Sequence, residues 1–183
     1  MLSFLPKFLF RNLTDITPEF LHSKGIDLLL MDFDNTMLPY TTDEPEQPLL
    51  DWIAGMKAAG VQLCIVSNSK RRRVPDFSEK YGVDCVTRAK KPFTKGIREA
   101  LRRYDASESE TALVGDQTFT DTLGANLAGI TSLQVRSIHN HTVWLKPVSY
   151  THLTARICTL CRRCWGTAIF PPHRSIRRSS SRI

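Results

Sequence analysis

The segment 27–33 (DLLLMDF) constrains the fold more than any other: a strand-length apolar run between acids, with no turn residue in it. Such a run suits a strand buried on both faces, which occurs where helices cover a parallel sheet. The chain then keeps a regular rhythm. Leu49, Leu50, Ile53 and Met56 recur at helical spacing between Pro48 and Gly60, and residues 61–67 (VQLCIVS) read as a second strand. A helix over 71–81, starting near Pro75 and ending at Gly82, leads to a short strand at 83–86. Helix 94–104, strand 111–115, helix 118–128 and strand 131–135 complete the pattern. Parallel neighbours need crossover helices, so the expected fold is α/β: a three-layer Rossmann-like sandwich with a mostly parallel five-stranded sheet.

Composition narrows the function classes. The net charge of +7 hints at nucleic acid until it is split by position: residues 1–147 carry 18 basic and 18 acidic residues, and residues 148–183 carry seven Arg and no acid. The body is therefore neutral, and a nucleic-acid partner is not expected of it. Cys64 and Cys85, each in an apolar run, read as small buried thiols of a reduced, cytoplasmic protein. No apolar run is long enough to span a bilayer, and the apolar start lacks the small-residue cleavage site of a signal peptide.

Ligands of open parallel sheets bind at the carboxyl ends of the strands. The first strand ends in Asp32-Phe33-Asp34-Asn35-Thr36, the second in Ser67-Asn68-Ser69, and the fourth in Gly115-Asp116-Gln117 with Thr120-Asp121 just beyond; Lys90-Lys91-Pro92 follows the third. Each alone reads as a helix cap or turn. Their convergence on one edge is poorly explained by capping.

Taken in order, these residues resemble the haloacid dehalogenase (HAD) superfamily of phosphohydrolases: Asp-x-Asp-x-Thr at Asp32, Asp34 and Thr36, a strand-end Ser at Ser67, a Lys at Lys91, and Gly-Asp-x-x-x-x-Asp at Gly115, Asp116 and Asp121. Asp15-Ile16-Thr17-Pro18, Val66-Ser67-Asn68 and Gly115-Asp116-Gln117 are similar to the YqeG branch of subfamily IIIA. The resemblance implies a phosphoric monoester hydrolase in which Asp32 is the nucleophile, Asp34 the acid/base and Lys91 a catalytic cation. It implies Mg²⁺ as cofactor, held by Asp32, the Asp34 backbone carbonyl and Asp116, with Asp121 behind these ligands or paired with Lys91. Ser67, Asn68 and Thr36, with neighbouring backbone N–H groups, would bind the phosphate; Lys90 is expected to be exposed. Receiver domains share such a sheet and also phosphorylate an Asp, but Asp34 supplies an acid/base that a long-lived phosphoryl signal would not want. A second reading, from another class, is a binding or assembly module that keeps the fold without turnover. A third places nucleic acid on the basic tail.

Only residues 37–47 follow the first motif before the Pro48 helix, and 87–90 precede Lys91, so no cap domain fits. An uncapped site admits a phosphate on a large or surface-bound molecule. Specificity for a small metabolite would have to come from loop residues such as Pro39, Tyr40 and Arg71-Arg72-Arg73. That Arg run reads either as a solvated helix start or as a basic rim. Residues 1–25, with Leu2, Phe4, Leu5, Phe8, Leu9 and Phe10 between Lys7 and Arg11, pack on the domain or lie at a membrane surface. Distant relatives of the YqeG branch dephosphorylate phosphatidylglycerophosphate, which makes that phospholipid the expected substrate; oligomeric state is left open. The phosphatase core is placed at 26–147. The tail 148–183 holds Cys158, Cys161 and Cys164 without a matching second pair, and residues 146–154 are similar to translated sequencing-adapter DNA at a broken reading frame. It is expected to be non-native or disordered.

Overall fold

In the computed structural model of the chain, residues 3–138 are described; the tail assigned to 148–183, and the last residues of the expected core, lie outside them. The central strand β2 (Leu28–Met31) is buried along its whole length. Its side chains alternate between two cores, Leu29 and Met31 on one face of the sheet and Leu28 and Leu30 on the other. This is the period-two geometry of a strand covered on both sides.

The other elements follow the order read from the sequence. They are α2 (Gln47–Ala58), β3 (Gln62–Val66), α3 (Arg73–Tyr81), β4 (Asp84–Val86), α4 (Lys95–Tyr104), β5 (Thr111–Gly115), α5 (Leu123–Ala128) and β6 (Thr131–Gln134). All strand pairs are parallel and, with β1 (Phe8–Leu9) at one edge, the order is β1-β6-β5-β2-β3-β4. The core of one face takes Leu49, Ile53 and Met56 from α2 with Val74 and Phe77 from α3. The other face takes Ile97, Ala100 and Leu101 from α4 with Ala125 and Ala128 from α5.

The sheet has six strands rather than the expected five. The extra one, β1 (Phe8–Leu9), pairs with β6. Two residues beside Lys7 and Pro6 carry no periodic signal, so β1 exists through long-range bonds. The Lys7 N–H donates to Ser132 O (3.0 Å), the Phe10 N–H to Gln134 O (2.8 Å), and the Asn126 side-chain amide to Ser3 O (2.7 Å). Phe8 and Phe10 both meet Phe20 of α1 (Pro18–Ser23) edge to face, with ring centres 5.1 and 5.0 Å apart. Trp52 ties α2 to the same region by donating its indole N–H to Ile16 O (2.7 Å). Phe4, Leu5 and Leu9 stay exposed. Cys64 is buried, and burial pushes its thiol up to about 12, whereas Cys85 is only half-buried. No helix among the described residues is long and apolar enough to cross a membrane.

Leu30 is fully buried at the centre of this sheet. Leu30→Ala is expected to cost about 2–5 kcal/mol, read as a lower urea midpoint at unchanged slope.

Candidate active site

Every functional side chain enters from the carboxyl edge of the sheet. The Asp32 N–H donates to Val114 O (2.9 Å), so β2 and β5 are still paired where Asp32 leaves the strand. The chain then turns through Asn35, whose φ of 61° lies in the left-handed region that Asn tolerates. The Asn35 N–H closes the turn on Leu38 O (2.7 Å). Asp32, Asp34 and Thr36 are buried, and both aspartates line the cleft. Ser67 follows β3 and Asp116 follows β5, both buried. A wide helical turn, Thr118–Thr122, takes both the Asp121 and Thr122 N–H groups to Gln117 O. It carries Asp121 back against Gly115.

Lys91 sits between two of these acids. Its Nζ is 2.7 Å from Asp32 Oδ1 and 2.7 Å from Asp121 Oδ1, and its side chain is 1% exposed. The second oxygen of Asp121 accepts the Gln117 backbone N–H (3.0 Å). Thr36 Oγ1 donates to Asp32 Oδ2 (3.4 Å). The loop carrying Lys91 is fastened to the end of β3, the Ala89 N–H donating to Ser67 O (3.0 Å) and the Arg88 N–H to Ser69 O (3.3 Å). Asn68 grips the same loop twice: Oδ1 accepts the Lys91 N–H (2.7 Å) and Nδ2 donates to Lys91 O (3.0 Å). The Asn68 side chain is thus spent on Lys91. Lys90 is exposed, since adjacent residues cannot both enter so small a site.

Sequence reasoning missed Arg73. The Arg71–Arg73 run splits: Arg71 and Arg72 are exposed, whereas the Arg73 side chain is 8% exposed with Nη1 2.9 Å from Asp34 Oδ1. Its one signal in the sequence was spacing, since Arg73 stands four residues before Phe77, on the helix face that packs inward.

Burial sets the electrostatics. It pushes the Asp32 carboxyl up to about 7, against the pull of Lys91 and with Asp121 and Asp116 adding to the rise. Burial also works to lower Lys91, but Asp121 and Asp32 outweigh it and hold the ammonium above its ordinary range. Asp34 is raised by burial despite Arg73 and Arg71. Tyr40 is raised by burial and then by Asp34.

Oxygens of Asp32, Asp116 and Asp121 lie within 4.8 Å of one another, all buried, with Lys91 the ammonium between two of them. Three carboxylates against one such cation call for a further positive charge, and an all-oxygen donor set fits a hard divalent ion. Of these three acids Asp32 lines a cleft of about 330 Å³, together with Asp34, Tyr40, Ser67, Arg71 and Lys91, among others. Neither loop that could carry a cap, between β2 and α2 or between β4 and α4, holds a domain.

A nucleophile-type carboxylate, a buried cation and a three-acid cluster at one sheet edge define a hydrolase site. Residues 42–135 match the haloacid dehalogenase-like hydrolases, and the chain belongs to that family. The matched segment holds Ser67, Lys91, Asp116 and Asp121, while Asp32 and Asp34 precede it. Within the family it is a HAD-type phosphatase, 33% identical over 146 residues to the probable phosphatase YqeG of Bacillus subtilis (strain 168), covering 80% of this chain and 79% of that one. Two solved structures share the fold. An uncharacterized protein from Listeria monocytogenes serotype 4b has a TM-score of 0.51 at 17% identity, covering 67% of this chain and 88% of its own. The cobalt-bound deoxy-D-mannose-octulosonate 8-phosphate phosphatase of Haemophilus influenzae has a TM-score of 0.51 at 14% identity, covering 61% of this chain and 69% of its own.

A Cβ at Gly115 would overlap the Asp121 carboxylate, which Lys91 and the Gln117 N–H hold in place. Gly115→Ala is therefore expected to displace Asp121 and with it Lys91. Phosphatase activity should fall by about tenfold or more, the scale of a misplaced charged group, while circular dichroism shows a retained fold.

Proposed function

We propose that the chain hydrolyses phosphomonoesters with Mg²⁺ through an aspartyl phosphate on Asp32, and that its substrate is phosphatidylglycerophosphate or another large or surface-bound phosphate. The observation that carries the chemistry is the Asp32–Lys91–Asp121 contact, which leaves a buried carboxylate facing an open cleft beside a fixed ammonium. An Asp32 oxygen attacks phosphorus, the bond to the leaving oxygen breaks, and Asp34 gives that oxygen a proton. Water then attacks the same phosphorus and returns a proton to Asp34. The bond from phosphorus to Asp32 breaks and inorganic phosphate leaves. Lys91 offsets phosphoryl charge as each transition state forms. Ser67, Asn68 and Ser69 line the cleft, and Ser67 Oγ, which accepts the Ser69 N–H (3.0 Å), keeps its own proton for a phosphate oxygen.

Asp32, Asp116 and the Asp34 backbone carbonyl are the proposed metal ligands. Asp121 is assigned to Lys91, because both its oxygens are already engaged. When bound, Mg²⁺ would draw charge from the phosphate oxygens and relieve their repulsion from the carboxylates.

Four observations support a surface-bound substrate. Among the described residues, neither loop that could carry a cap holds a domain. Phe93 and Phe119, 73% and 58% exposed, stand on the loops that follow Lys91 and Asp116. Phe4 of the N-terminal segment meets Phe119 edge to face at 5.7 Å, so apolar surface lies beside one of those loops. Arg71 at the cleft and exposed Arg72 add positive charge suited to an anionic lipid surface.

The test is phosphate release from phosphatidylglycerophosphate micelles and from an aryl phosphate. Release from the wild-type chain should vanish with a chelator, return with Mg²⁺, and fall by at least about 1000-fold in Asp32→Asn, as expected when the nucleophile is removed. Preference for the micelles supports the lipid reading, and equal rates would leave the phosphatase and remove the lipid. No release from a folded sample would favour a binding module.

A further inference from the structure

We propose that Arg73 is a positioning residue of this site, tying the Asp34 carboxylate and the 39–43 loop into one unit. The inference rests on the phosphatase reading and goes beyond it, since Arg73 belongs to none of the motifs that carry that reading.

The contacts of its guanidinium point in two directions. Nη1 donates to Asp34 Oδ1 (2.9 Å). Nη2 donates to Pro39 O (2.9 Å) and Thr42 O (2.6 Å), and Nε is 2.8 Å from Asp43 Oδ1. The 39–43 loop so gathered carries Tyr40, which lines the cleft. The guanidinium also stands 5.1 Å from the ring centre of Phe33, the residue between the two motif aspartates. Phe33 in turn packs on Phe77 of α3, ring centres 5.3 Å apart, and Val74 and Phe77 are buried in the core. Arg73 therefore rises from a rigid base and reaches both loops at once.

Burying a guanidinium is costly unless its donors are used, and here Nη1 and Nη2 donate hydrogen bonds while Nε, without one, has the Asp43 carboxylate as an ion-pair partner. Asp43 and the two carbonyls would suffice to anchor a loop, but Nη1 goes to the carboxylate two residues from the proposed nucleophile. A charge-assisted bond from a guanidinium anchored on the other side fixes where Oδ1 sits and leaves Oδ2 for proton transfer. Arg71, not Arg73, lines the cleft, so Arg73 acts on the reaction through Asp34. Lysine could not replace it, because a point charge cannot hold a carboxylate and two carbonyls in one plane.

An acid that protonates the leaving oxygen matters for a poor leaving group and little for a good one, and kcat/KM reports the steps up to departure of that group. The experiment compares kcat/KM on an alkyl phosphate and on 4-nitrophenyl phosphate for the full chain, Arg73→Ala, Arg73→Lys and Asp34→Asn. Arg73→Ala should lose about 100-fold on the alkyl ester and less than about tenfold on the aryl ester, in the same order as Asp34→Asn. Added guanidinium should restore part of the alkyl activity. Arg73→Lys, which keeps the charge and one contact, should show a smaller loss with the same leaving-group bias, and it carries the test if the alanine variant does not fold. Equal losses on both esters, or no loss, would overturn the positioning role. A wild-type chain that hydrolyses neither ester would instead remove the phosphatase reading itself.

Discussion

The Lys91 ammonium, buried at the base of the cleft and held 2.7 Å from both Asp32 and Asp121, is the constraint around which the rest is arranged. Removing two carboxylates and an ammonium from water costs several kcal/mol for each ion unless partners replace the lost hydration. The surrounding residues serve that need. Gly115 has no side chain where Asp121 must lie, and the Gln117 N–H takes its second oxygen. Asn68 fixes the Lys91 backbone from both sides, and Lys90 adopts a φ of 58° so that the chain can turn Lys91 inward. Asp116 adds a third carboxylate that Lys91 alone does not balance, which is why the cluster fits a divalent ion.

The parallel sheet makes such a cluster feasible. Four neighbouring strands end on one edge, and each delivers one part of the site from a backbone locked by ladder bonds, with β2 and β5 buried along their whole length. Side chains fixed by packing cost little reorganisation when charge develops. The exposed surface around the mouth is built differently, from loops bearing Tyr40, Phe93 and Phe119. The reaction centre is thus rigid and the surface that would meet a substrate is adaptable, the division of labour common in enzymes whose loops sit on a fixed scaffold.

How much was legible in the sequence depended on the range of the interactions. The run 27–33, buried on both faces, and the alternation after it give five strands and their helices from local pattern alone. The motif residues were visible because they converge on one sheet edge and match a family's motifs in order, although each alone would pass for a cap or turn. Strand β1 was invisible, because two residues form it only by pairing with a strand more than a hundred positions away. Arg73 hid in a run of three arginines, since nothing local separates a cation aimed at solvent from one aimed at Asp34. The double grip of Asn68 on Lys91 was hidden likewise: the family resemblance implied Asn68 at the phosphate, and only the fold shows that its amide is spent on the lysine backbone.

The central claim is that Asp32 carries the phosphoryl group. Quenching the working enzyme with acid, reducing acyl phosphates with borohydride and mapping the peptides tests it directly. The account predicts homoserine at position 32, appearing only when substrate and Mg²⁺ are both present. Homoserine at any other aspartate, or turnover with position 32 unmodified, would contradict it.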